Sequence, residues 1–101
     1  MPTKITFVID NPDDPAAFET VYASMLDSAA KLPGLRRTES AKVWPKEDGS
    51  PTPAYRTLDL YFDGYDEASA AVATDAAQAL FGAIIGSGVS FRPLFSDIES
   101  V

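Results

Sequence analysis

The stretch Pro15–Gly34, PAAFETVYASMLDSAAKLPG, constrains this chain more than any other. Phe18, Val21, Tyr22, Met25, Leu26, Ala29 and Leu32 recur at the i, i+3, i+4, i+7 spacing that gathers side chains on one stripe of a helix. Asp14 is placed to cap the start. Pro15 suits the first helical position, where its missing N–H has no partner to lose. Pro33-Gly34 stops the helix, because the residue before a proline avoids the α region and glycine turns freely into the left-handed one. An apolar stripe this wide must be covered, and a sheet is the natural cover.

Four segments supply it. Lys4–Asp10 alternates Ile5, Phe7 and Ile9 against Lys4, Thr6, Val8 and Asp10, with apolar residues on both faces, which predicts a central strand. Leu35–Trp44 carries Arg37, Glu39 and Lys42 and predicts an edge strand, where charge discourages pairing with other chains. A proline-rich loop, Pro45–Pro53, follows. Tyr55–Phe62 alternates Leu58, Leu60 and Phe62 against Tyr55, Thr57, Asp59 and Tyr61. Asp66 is placed to cap a second, alanine-rich helix with Ala68, Val72, Ala76, Leu80 and Ile84 on its stripe. Thr74 offers a second cap within it. Gly86-Ser87-Gly88 ends it, and Val89–Phe95 predicts a last strand whose Pro93 favours an edge. The order β-α-β-β-α-β with right-handed crossovers gives a four-stranded antiparallel sheet with helices on one face, the ferredoxin-like arrangement, in a single domain over residues 1–101. The opposite face, with Thr6, Val8, Tyr55, Thr57, Asp59 and Tyr61, is left without a layer and calls for a partner.

Composition closes several routes. With 8 Lys+Arg against 15 Asp+Glu, the net charge of −7 disfavours nucleic acid and anionic membranes alike. No aromatic-basic pattern of an RNA-binding sheet appears on the central strands. The chain has neither cysteine nor histidine, which removes thiolate chemistry, Cys-ligated metal and every Ser-His-Asp triad. No calcium-loop spacing or phosphate-cradling GxxxxGK[ST] is present, so no metal and no cofactor is expected. The opening residues hold too short an apolar run for a signal peptide, and no window reaches transmembrane length, so the expected location is cytoplasmic.

Beyond these patterns the chain resembles the EthD family. The resemblance rests on Asn11-Pro12 and Asp14-Pro15-Ala16-Ala17-Phe18, on Tyr22, on Ala29-Ala30-Lys31-Leu32-Pro33-Gly34-Leu35-Arg36, and on Leu60-Tyr61-Phe62-Asp63 with the Ala-rich helix and Val89. It spans nearly the whole chain, and the LPGLRR junction is its most specific piece. The resemblance implies a dimeric α+β barrel in which two subunits press their open sheet faces together and each half encloses a pocket. Many members carry a histidine pair or His-x-Pro motif late in the first helix. Here the aligned stretch is Ser24-Met25-Leu26-Asp27, so that role does not carry over.

The candidate site residues follow from the predicted faces. Tyr55, Asp59 and Tyr61 on the open face could orient a ligand or move protons, with Asp59 as base. They equally describe a dimer interface in which Asp59 pairs with Arg37 or Arg92. Trp44 is a pocket wall beneath the proline loop or a subunit contact. Tyr22 and Met25 are core residues at this spacing, with a ligand-facing role as the alternative. Arg37 is a candidate carboxylate binder. Together these suggest a homodimer binding a hydrophobic small molecule, aromatic or polyketide-like, for oxidative or proton-transfer chemistry without metal or haem. The alternative is a non-catalytic accessory or structural dimer with a filled lumen.

Overall fold

A computed structural model describes all residues, Met1–Val101. The elements are β1 (Thr3–Ile9), α1 (Pro15–Ala29), β2 (Arg37–Lys42), β3 (Arg56–Phe62), α2 (Tyr65–Val72), α3 (Asp75–Ser87) and β4 (Phe91–Asp97). The strands form one antiparallel sheet in the order β2-β3-β1-β4. The expected ferredoxin-like fold is therefore present, with β1 central and β2 and β4 at the edges. No helix is long and apolar enough to cross a membrane.

The register explains the layering. Ile5 sits opposite Leu60 and Phe7 opposite Leu58, so the apolar sets of β1 and β3 share one face. Ile5, Phe7, Ile9, Leu58, Leu60 and Phe62 are all buried there, under Phe18, Tyr22, Met25 and Ala29 of α1 and Leu80 and Ile84 of α3. Ala68, Ala71 and Ala77 are also fully buried, since small side chains let the second helical segment lie close to the sheet. The shortest principal dimension is 16 Å, room for one sheet and one helical layer about 10 Å away, so the far face of the sheet carries nothing.

Several boundaries differ from those the sequence predicts. Helix α1 ends at Ala29, not Gly34. Ala30 caps it, and tight turns (Lys31 N–H to Ser28, Leu32 N–H to Ala29) fold Leu32 back into the core. Gly34 then takes φ +77°, the left-handed turn expected of it. The cap of α2 is Gly64 rather than Asp66, which sits in the first turn with Glu67 near the positive end of the helix. The alanine-rich helix is two helices bent by 70°, with Thr74 Oγ1 accepting from Ala77 N–H at 3.4 Å as the cap of α3. Strand β4 begins two residues late because Val89 is still held by Ser87 Oγ, at 3.2 Å.

The Asp14 cap is as expected, accepting from Ala17 N–H at 3.2 Å with Pro15 in the first turn. Met25 is 0% exposed in the centre of the core. Met25→Ala should therefore cost about 2–5 kcal/mol in chemical denaturation. An unchanged midpoint would instead place Met25 at a surface open to ligand.

Candidate functional site

Three regions gather the polar side chains and the free space. The first is the uncovered sheet face. The registers bring Arg37, Glu39, Asp59, Tyr61, Lys4, Thr6, Leu94 and Arg92 to it. Tyr61 donates to Glu39 Oε1 at 2.6 Å, Arg37 pairs with Glu39 Oε2, and the Arg37 guanidinium lies 4.6 Å from the centre of the Tyr61 ring. Asp59, whose side chain is 18% exposed, accepts from Thr6 Oγ1 and has Lys4 Nζ at 3.8 Å. Arg92 lies 3.9 Å from Asp10. Asp59 thus pairs with Lys4, not with Arg37 or Arg92, because those arginines find carboxylates on their own or an adjoining segment. The hydrogen bond to Glu39 chiefly, and then burial, push the Tyr61 phenol above its usual value.

The second region is on the other side of the sheet. The backbone bends at Tyr55 just before β3, and the ring turns away from the open face onto the helical side. There it meets Phe18 edge-on at 5.9 Å and donates to Glu19 Oε2 at 2.9 Å. Arg56 grips the same carboxylate with two hydrogen bonds, 3.0 and 2.5 Å, and its guanidinium lies 4.4 Å from the Tyr22 ring centre. Tyr22, 3% exposed, shares a 2.5 Å hydrogen bond with Ser40 of β2. This latch ties α1 to an edge strand that the helices do not otherwise cover: every residue of β2 is exposed. Arg56 chiefly draws the Glu19 carboxyl below its ordinary range; burial opposes that and Tyr55 adds to it. Burial chiefly raises the Tyr22 and Tyr55 phenols.

The third region is a cavity of about 580 Å³ at one end of the fold. The β1–α1 connection supplies Asp10, Asp13 and Asp14, the first turns of α1 supply Ala17, Phe18 and Val21, and the α3–β4 connection closes the far side. None of the candidate site residues read from the sequence, Tyr55, Asp59, Tyr61, Trp44, Arg37, Tyr22 and Met25, lines it. Tyr55 and Asp59 lie on opposite sides of the sheet, so they do not share a site. Tyr22 and Met25 are in the core. Trp44, 87% exposed beyond the end of β2, walls nothing within the protomer. Only Arg37, Asp59 and Tyr61 come together, on the open face.

No family model matches the chain. An uncharacterized 11.0 kDa protein from the thcB-thcC intergenic region of Rhodococcus erythropolis is 33% identical over 102 residues, covering 97% of this chain and 96% of that protein. The crystal structure of an EthD family protein from Bacillus halodurans superposes with a TM-score of 0.88 at 20% identity, over 97% of this chain and 99% of that one. The chain belongs to one family with the Rhodococcus protein and has the fold of the EthD family protein. Two further solved structures share the fold. One is SnoaB, a cofactor-independent oxygenase from Streptomyces nogalater, with a TM-score of 0.75 at 14% identity, over 99% of this chain and 95% of that one. The other is a dimeric ferredoxin-like protein of unknown function from Thermobifida fusca, with a TM-score of 0.75 at 15% identity, over 97% and 92% of the two chains.

Sequence reasoning gives no site role to Glu19 or Arg56. A signal was present: Glu19 precedes Tyr22 by one short turn, and Arg56 shares the inward parity of Leu58 and Leu60, where an unpaired cation would be costly. The cavity left no comparable signal, since its walls come from segments more than sixty residues apart. The latch makes a pH prediction. The Glu19 carboxyl titrates below its ordinary 4.5 in the folded chain. Its contribution to stability is therefore complete above that value and fades as pH falls through it towards the folded value. Urea melts of wild type and Glu19→Gln should converge as pH drops from about 5.5 to 3. A constant gap between them would mean that the ion pair adds nothing.

Proposed function

We propose that this chain acts as a homodimer joined through the open face of its sheet, with the cavity between α1 and the α3–β4 connection as the site for a small hydrophobic or amphipathic molecule. The cavity carries the binding half of this reading. Its volume of about 580 Å³ lies in the range of small-molecule sites, and Phe18, Val21 and Val89 give it apolar walls.

The dimer half rests on the chemistry of the open face. Lys4, Arg37 and Arg92 are each matched there by Asp59, Glu39 and Asp10. A face whose charges are already compensated can meet its own copy about a two-fold axis without like-charge repulsion. The Thermobifida fusca neighbour is described as dimeric, which supports the same assembly. On this reading Arg37, Asp59 and Tyr61 are interface residues. Each already has a hydrogen-bond partner within the protomer: Asp59 with Thr6, and Arg37 and Tyr61 with Glu39.

SnoaB makes cofactor-independent oxidation the reaction class to test. A second reading, a binding or accessory dimer without catalysis, is favoured by one observation. The phenol and carboxylate that would have shared acid–base work, Tyr55 and Asp59, are separated by the sheet.

The dimer is checked with Leu94→Arg. Leu94 is an exposed open-face residue whose change adds one unmatched cation per protomer. Sedimentation equilibrium should show a wild-type dimer and association weakened about a hundredfold or more in the variant, since like charges brought together at an interface cost several kcal/mol. A monomeric wild type, or an unaffected variant, would remove the open face as the interface.

A further inference from the structure

We infer that the two-fold axis of the dimer runs along the strands, so that β2 of each copy lies beside β4 of the other. Trp44 of one copy then packs against Val89 of the partner subunit, at the rim of the partner's cavity. This rests on the open face being the interface, as proposed above. It adds the direction in which the copies meet and a residue that each lends to the other's cavity.

The sheet has little area to spare. Four strands of six or seven residues present about 450 Å² in projection, while a stable interface takes about 800 Å² of accessible surface from each partner. The faces must therefore overlap fully, with strands roughly aligned as packed sheets keep them. Two axes allow that. One runs across the strands and lays each strand, reversed, on its own copy. The ladder puts Glu39, Asp59, Thr6 and Leu94 in its central row. Glu39 would then face the partner's Glu39 and Asp59 the partner's Asp59, while Arg37 and Lys4 face the partner's Ala41 and the partner's Val8. Carboxylates stacked in this way repel, and a two-residue slide that parts them gives up about 30% of the overlap.

The other axis runs along the strands. It reverses their order and keeps every residue at its own level, so β3 meets β1 and β2 meets β4 of the partner subunit. Asp59 now faces the partner's Thr6, Arg37 the partner's Ser96 and Thr57 the partner's Val8. Lys4 faces the ring of the partner's Tyr61, a favourable seat for a cation. Glu39, its carboxylate already taken by Arg37 and Tyr61, faces the partner's Leu94. No charge faces a like charge. The same rule of levels places Trp44. Lys42, Arg56, Ile9 and Phe91 form the last row of the ladder. Trp44 lies two residues beyond Lys42 and Val89 two before Phe91, past the same end of the sheet and, by the two-residue period, on its helical side. The Val43 N–H still bonds the Tyr55 carbonyl at 3.0 Å, so the strand path holds up to Trp44. Beside β4 of the partner subunit, the indole therefore meets the partner's Val89, a wall of the cavity. That gives a covering to a side chain left 87% exposed in the protomer.

The test mixes isotope-labelled and unlabelled full-length protein, so that filtered NOE spectra report only contacts between copies. Cross-peaks should run from the Trp44 indole to the Val89 methyls and from the Thr57 methyl to the Val8 methyls. A second measurement exploits a chain without cysteine. Trp44→Cys/Val89→Cys should oxidise to a covalent dimer, since facing residues of neighbouring strands come within disulfide reach. Within one protomer the two positions sit at opposite edges of the sheet, about 14 Å apart and beyond that reach. Either single variant should stay non-covalent. Cross-peaks between the Leu94 methyls of the two copies would put the axis across the strands and overturn the inference, while the open face stands as the interface. Open-face contacts with none from the indole, and no covalent dimer, would remove Trp44 from the partner's cavity. A monomer, or contacts between helices alone, would bring down the open-face reading and the inference with it.

Discussion

The antiparallel register of β1 against β3 is the constraint on which the rest depends. Ile5 opposite Leu60 and Phe7 opposite Leu58 put two apolar rows on one face and, by the two-residue period of a strand, Thr6 opposite Asp59 and Lys4 opposite Tyr61 on the other. A slip of one residue would turn Asp59 and Lys4 into the core and Leu60 into water, so the core and the open-face network select the same register from opposite sides of the sheet. The helices follow from it. Once β1 and β3 present a continuous apolar strip, α1 and α3 have one surface to cover, and the alanines of α2 and α3 set how closely the second helical segment lies.

This also explains how much was legible beforehand. Periodic features were: the α1 stripe, the inward rows of β1 and β3, the Asp14 and Thr74 caps, and the edge character of β2 and β4. Each is a repeat or a local cap, readable from neighbouring residues. Tyr55 was assigned to the wrong side because alternation assumes an unbroken strand, and the chain bends immediately before Arg56. Its ring then gains more by meeting Phe18 and Glu19 than by continuing the pattern. With Tyr55 gone, the open face holds one aromatic, Tyr61, and is polar rather than the aromatic surface that alternation predicts. The cavity escaped notice for another reason. It belongs to two connections that only the finished sheet brings together.

The Glu19–Arg56 latch does what apolar packing cannot do at the edge of the sheet. The helical layer sits over β1 and β3, so β2 has no helix above it and all six of its residues remain exposed. Tyr22 reaches across to Ser40, and Arg56, stacked beneath Tyr22, is held by Glu19 from the next turn back. A lone guanidinium at that depth would be destabilising; here its donors meet both oxygens of one carboxylate, and the aromatic faces take its flat surface. The latch therefore fixes the position of α1 over the sheet, and with it Phe18, whose one face packs on Tyr55 while the residue also walls the cavity.

Charge is distributed unevenly over this frame. The chain carries −7 in total, yet the open face matches three cations with three carboxylates. The whole of the net charge therefore belongs to the helical layer, the connections and the ends. For two copies meeting face to face, the excess negative charge is directed outward, where at physiological salt it is screened over about 8 Å. The surfaces that touch carry no net charge. The cavity lies in the acidic remainder, at the end of the sheet rather than beneath its open face. The neutral face permits self-association, and the 16 Å thickness of the protomer keeps it only a layer away from the cavity.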